Sequence, residues 1–183
     1  MSKKVYIFLA DGFEDIEGLT VVDLMRRAGI SITTVSIKDT KQITTAHGIT
    51  MLTDTIFHET DFTDADMLVL PGGQPGTTYL GAFESLTDLV KNYYNNGGKI
   101  AAICAAPTVF AKIGLLHGKK ATAYPACMDG LEDAVRTEDK VVIDGNITTS
   151  RGLGTAIDFG LSLISQLLGQ EKADQIAESV VYK

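Results

Sequence analysis

Tryptophan is absent from this 183-residue chain, which carries only two cysteines, three histidines and four prolines. Cysteines at 104 and 127 alone build no disulfide framework, and their separation is not that of a metal knuckle. His47, His58 and His117 fall in a hairpin tip and two loops without metal-ligand spacing, so they are expected on the solvated surface and no metal site is expected. Basic residues are also scarce: 16 Lys and Arg against 23 Asp and Glu leave a net charge of −7. That excludes an electrostatic footprint for nucleic acid and argues against binding to an anionic membrane surface. No apolar run reaches the ~20 residues needed to span a bilayer. The opening Met-Ser-Lys-Lys-Val-Tyr-Ile-Phe-Leu-Ala is too short in its apolar core for a signal peptide. Asp11, Glu14, Asp15 and Glu17 follow where a small-residue cleavage site would lie. It reads as a first strand, and a cytoplasmic location is expected. Neither a Gly-x-Gly-x-x-Gly turn nor a Walker phosphate loop follows any strand, which removes the common nucleotide-binding signatures.

What is present is a chain rich in hydrophobic residues (45%) and in glycine (18 residues), with the length of one domain, 1–183. A domain of this size buries ~70% of the surface its unfolded chain exposes. Val5–Ala10 is a continuous apolar run, as in a strand covered on both faces. A helix from about Glu14 to Ala28 follows, closed by Gly29. Further strands are expected at Ser31–Ile37, Asp66–Leu70 and Lys99–Ile103, with a short one over Ala121–Tyr124. Gln42–Thr45 and Ile49–Thr53 read as a small hairpin added to the sheet edge. Val141–Thr149 reads as a hairpin around Asp-Gly-Asn. Leu86–Asn96, Thr155–Leu168 and Glu171–Val181 carry helical patterns. Strands alternating with helices predict an α/β fold with a mainly parallel sheet.

Sites in such sheets form outside the carboxyl ends of the strands. Three features fall there. Cys104 ends the run Lys99-Ile-Ala-Ala-Ile and is followed by Ala105, Ala106 and Pro107, a residue suited to the first turn of a helix. The cysteine thus sits on a strand-to-helix elbow, and the adjacent helix N-terminus is expected to lower its thiol pKa. Glu17 lies on the apolar stripe of its helix, one turn before Val21, where burial would raise its pKa toward the range useful for proton transfer. Glu14 and Asp15, by contrast, suit the helix dipole as first-turn acids. Pro71-Gly72-Gly73 closes the third core strand and frees backbone N–H groups to face a ligand. Cys127, in a loop after Pro125-Ala126, has no evident activator and is read as a spectator.

Together these segments resemble the ThiJ/PfpI superfamily, and within it the branch of the parkinsonism-associated deglycase and bacterial YajL. The matching residues are Ala10-Asp-Gly-Phe-Glu-Asp-Ile-Glu17, Val22-Asp-Leu-Met-Arg-Arg-Ala-Gly29, Val69-Leu-Pro-Gly-Gly73, Ala101-Ala-Ile-Cys-Ala-Ala-Pro107 and Thr149-Ser-Arg-Gly-Leu-Gly-Thr155. The resemblance implies a flavodoxin-like three-layer sandwich with helices on both faces, in a homodimer. It implies Cys104 as nucleophile and Glu17 as the acid bonded to its sulfur and shuttling protons. Gly73 and Ala105 would supply oxyanion N–H donors, with Gly72, Tyr124, Gly152 and Leu153 around the pocket. Tyr124 stands where some relatives carry a histidine, Leu153 where relatives often carry proline, and Ala105 where the protease-like branch has histidine.

The activity so implied is that of a cofactor-free glyoxalase III or deglycase acting on methylglyoxal and related small reactive aldehydes, in carbonyl and oxidative stress. The alternative is a redox-sensing stress protein or chaperone with an oxidisable Cys104. A peptidase or amidotransferase-like enzyme is a weaker third reading, because it needs an imidazole beside the thiol.

Overall fold

Every residue of the first strand, β1 (Lys4–Leu9), is buried after Lys4, and successive side chains enter different cores. Val5, Ile7 and Leu9 face one core and Tyr6 and Phe8 the other, as the two-residue period of a strand requires. The computed structural model describes residues 2–182, and the same alternation recurs along β6 (Met67–Leu70) and β7 (Lys99–Ile103). One core is closed by α1 (Asp15–Arg27), α5 (Ala156–Leu168) and α6 (Gln170–Ser179). The other is closed by α2 (Gly76–Ala82), α3 (Glu84–Asn95) and α4 (Pro107–Lys112). The result is the expected three-layer α/β sandwich.

Seven strands form the central sheet. The remaining members are β2 (Ser31–Ser36), β5 (Thr55–Ile56), β10 (Val141–Asp144) and β11 (Ile147–Ser150), in the order β10-β11-β7-β6-β1-β2-β5. Only β10 and β11 pair antiparallel; every other neighbouring pair is parallel. The carboxyl ends of β1, β6 and β7 therefore share one rim. No helix among the described residues is long and apolar enough to cross a membrane.

Two local expectations are corrected, and two short elements were not expected. The hairpin of β3 (Gln42–Thr44) and β4 (Thr50–Leu52) is a separate two-stranded ribbon, not an extension of the sheet edge. Its backbone bonds to the rim instead: Gly12 N–H donates to the Thr44 carbonyl at 2.7 Å and Ala46 N–H to the Phe13 carbonyl at 2.9 Å. The edge beside β2 belongs to the two-residue β5, too short to show a period. Helix α2 was hidden because Gly-Thr-Thr-Tyr-Leu-Gly-Ala has poor intrinsic helix propensity. The strand expected over Ala121–Tyr124 is β8 (Lys120–Ala121), paired with β9 (Val135–Arg136) in a second small sheet.

Asp54 ties the ends of several of these elements. Its Oδ2 accepts from Arg26 Nη2 at 2.9 Å, Thr34 N–H at 2.8 Å and Thr34 Oγ1 at 2.7 Å. Thr34 is buried, so Asp54→Ala strands donors away from water. Because the Asp54 side chain is 47% exposed, the expected cost is about 1–2 kcal/mol, read as a lower urea midpoint at unchanged m value.

Candidate active site

Cys104 follows the last residue of β7 and takes φ +66°, a left-handed conformation that costs a non-glycine residue ~1–3 kcal/mol. Neighbouring backbone holds it there. Cys104 N–H donates to the Ser150 carbonyl at 3.0 Å, and Tyr124 N–H donates to the Cys104 carbonyl at 2.8 Å. Helix α4 begins at Pro107, as the sequence predicts. The elbow thus lifts the sulfur off the sheet rim, where the N–H groups of Gly73 and Ala105 hydrogen-bond it. These are the two donors expected for an oxyanion.

Glu17 is 1% exposed and reaches the thiol from α1, as an acid on that helix's apolar stripe must. Its Oε2 accepts from Gly72 N–H at 3.1 Å, and Leu153 N–H is a further donor to the carboxyl. The carboxyl and the Cys104 thiol are hydrogen-bond partners. Burial pushes the Glu17 pKa up to about 7; the Glu14 charge adds to the rise, and the bonds from Cys104, Gly72 and Leu153 oppose it. Burial also pushes the Cys104 thiol up to about 12, helped by the charge of Glu17 and the bond to it. The expected lowering of the thiol pKa is corrected: desolvation and the adjacent carboxylate outweigh the N–H groups of Ala105 and Gly73. With Glu17 ionised the sulfur keeps its proton. A thiolate forms by moving that proton onto the carboxyl.

Close approach explains the glycines. A Cβ on Gly72 would stand 2.5 Å from both the Cys104 Cβ and Glu17 Oε2, so a side chain here forces its neighbours to shift. Gly73, at φ +92°, lies directly against the Glu14 amide and Gly12 carbonyl. At the mouth, a Cβ on Gly152 would be 3.5 Å from Glu17 Oε1 and from the Tyr124 ring, and 3.8 Å from the Cys104 sulfur. Tyr124 is 49% exposed and Leu153 53%, while Cys104 is partly buried. Gly72, Gly73, Ala105, Tyr124, Gly152 and Leu153 are therefore all brought around Cys104 and Glu17. A neighbouring cavity of about 580 Å³ is walled by Asp11, Gly12, Lys38, Thr44, Pro75 and Tyr79, and its lining includes neither Cys104 nor Glu17.

No histidine is among the groups acting on the thiol. His58 packs edge-on against Phe57 and Phe83, and His117 lies 3.8 Å from Asp133. His47 is exposed as expected, but its Nδ1 also lies 2.7 Å from Asp15 Oδ2. Asp15 stands in the first turn of α1 as expected, and it is buried there. Sequence reading missed this pair, and the donor role of the Leu153 amide, because folding alone joins segments so far apart in the chain.

The DJ-1/PfpI family model matches residues 3–166. The chain belongs to the DJ-1/PfpI family. It is 41% identical over 187 residues to Protein DJ-1 homolog A of Arabidopsis thaliana, covering 100% of this chain and 47% of the plant protein. It thus spans about half the length of that relative. The Glutathione-independent glyoxalase DJR-1.2 of Caenorhabditis elegans is 29% identical over 165 residues, 89% of this chain and 87% of that protein. Among solved structures, oxidized Toxoplasma gondii DJ-1 superposes with a TM-score of 0.95 at 35% identity, covering 98% of each chain. The flavodoxin-like sandwich is the fold that family membership implies.

Proposed function

We propose that this chain is a cofactor-independent cysteine enzyme of the glyoxalase III type, converting methylglyoxal and related small aldehydes to hydroxy acids and extending to glyoxal-derived adducts. The observation that carries this reading is the buried Glu17 carboxyl bonded to a thiol that has no histidine acting on it. Further support is the glyoxalase among the family relatives.

In the proposed reaction, the Cys104 proton passes to Glu17 as the sulfur adds to the aldehyde carbon. Glu17 returns that proton to the new oxyanion, giving a hemithioacetal. The N–H groups of Gly73 and Ala105 steady the developing charge, a contribution of ~3–4 kcal/mol per donor in comparable sites. Glu17, again a carboxylate, removes the proton from the former aldehyde carbon to form an enediolate and delivers it to the adjacent carbon, while the hydroxyl proton on the sulfur-bearing carbon passes to the neighbouring oxygen. The product is a thioester, which water cleaves to lactate and free thiol. Methylglyoxal and water together have the composition of lactate, so no oxidant or reductant is consumed. We place residues 1–183 in one catalytic domain, acting as a cytoplasmic homodimer.

Redox sensing is the second reading, favoured by the same pair: a protonated Glu17 can donate to an oxidised sulfur. The test is lactate formation from methylglyoxal without glutathione. Stoichiometric lactate supports the enzyme. No lactate, with peroxide adding two oxygens selectively at Cys104, replaces the enzyme with the sensor.

A further inference from the structure

The tip of the β3–β4 ribbon sets a histidine over the loop that precedes Glu17. His47 Nδ1 stands 2.7 Å from Asp15 Oδ2 and 3.8 Å from Glu14 Oε1. One donor atom from each of these three residues lies within 4.8 Å of the other two. The Glu14 oxygen is sealed from solvent and has no hydrogen-bond partner. An unpaired buried acceptor is costly, and a cation between it and the imidazole would satisfy it.

The surroundings hold these donors in place. Asp15 is 4% exposed, and the Thr45 hydroxyl donates to its Oδ1 at 2.5 Å, leaving Oδ2 directed at His47. Orienting bonds of this kind fix ligand carboxylates in metal sites. Ile49 N–H donates to Thr45 Oγ1 at 3.1 Å, and the Ala46–Phe13 backbone bond of 2.9 Å clamps the ribbon tip to the acidic loop. The His47 side chain is 66% exposed, so an ion can enter from solvent and keep water ligands on that side.

We propose that Glu14, Asp15 and His47 form a binding site for a divalent first-row cation of the zinc class. One imidazole nitrogen and two carboxylate oxygens make a three-ligand set, with water in the fourth position. Imidazole in the set favours zinc over magnesium, which takes an octahedron of oxygens. The site uses neither Cys104 nor Glu17 and stands independently of the glyoxalase reading.

The test is equilibrium dialysis with zinc alone, on Cys104→Ala protein so that the thiol cannot contribute. About one zinc per chain is expected, with a raised melting temperature and no equivalent response to magnesium. In the Cys104→Ala, His47→Gln double variant the zinc Kd should rise about 10-fold or more. Should that variant's zinc-free melting temperature fall, Glu14→Gln in the same background gives the reading instead. Zinc uptake unchanged by removal of the ligand, or no uptake up to about 1 mM zinc, overturns the proposal.

Discussion

Glu17→Gln is expected to lower the rate of lactate formation from methylglyoxal about 10²- to 10⁴-fold, the range for loss of a general acid–base group. The amide keeps the size and the bond to Gly72 N–H but cannot take the proton of Cys104 or carry it between carbons. The same variant should change how stability depends on pH. The wild-type carboxyl titrates near 7 in the folded protein against a model value of 4.5. Below 4.5 both folded and unfolded chains hold the proton, and the stabilising contribution is fully present. As pH rises toward 7 the unfolded chain ionises first, so stability falls, and it levels off once the folded carboxyl has also ionised. The loss from Glu17 is about 3 kcal/mol. Glu17→Gln should therefore flatten the wild-type decline between pH 4.5 and 7, measured by urea unfolding across that range. An unchanged slope would mean that Glu17 is ionised throughout.

Gly72→Ala is the second large effect, and it strikes both halves of the pair at once. The new methyl would stand 2.5 Å from the Cys104 Cβ and from Glu17 Oε2, and 3.0 Å from the Ile103 carbonyl. The Ile103 carbonyl is elbow backbone and the Cys104 Cβ is fixed directly to it, so relief must come through the elbow or through the loop carrying Gly72. Overpacking of this kind costs ~1–3 kcal/mol. The kinetic effect should be greater than stability alone would suggest, because an ångström of misplacement between reacting groups costs ~10²-fold. The expected result is a protein that still folds, with a lowered melting temperature and lactate formation reduced about 100-fold or more. A Gly72→Ala protein of wild-type activity would show that the Glu17–Cys104 separation is not critical.

Some of this site could be read from the sequence because it follows local rules. Glu17 shares a helical stripe with Val21, and that periodicity alone predicts its burial. Lys99–Cys104 followed by Pro107 encodes strand, turn and helix in order, and the elbow appears as expected. The thiol pKa could not be read in the same way. Its direction depends on how completely Cys104 is desolvated and on a carboxylate 87 positions earlier in the chain, which only the packed sheet rim brings together. The Asp15–His47 pair was hidden for a related reason: the ribbon that carries His47 folds back over the rim and does not extend the sheet. Short elements such as β5 and α2 carry too little periodicity to be seen without their neighbours.

In the proposed reaction Cys104 performs covalent aldehyde chemistry with Glu17 as its proton carrier. The most direct measurement compares glutathione-free lactate formation from methylglyoxal by the wild-type chain and by Cys104→Ala at equal concentration. Steady lactate production by wild type is expected, with Cys104→Ala at the protein-free background rate. Lactate production by Cys104→Ala at the wild-type rate would contradict the proposed reaction.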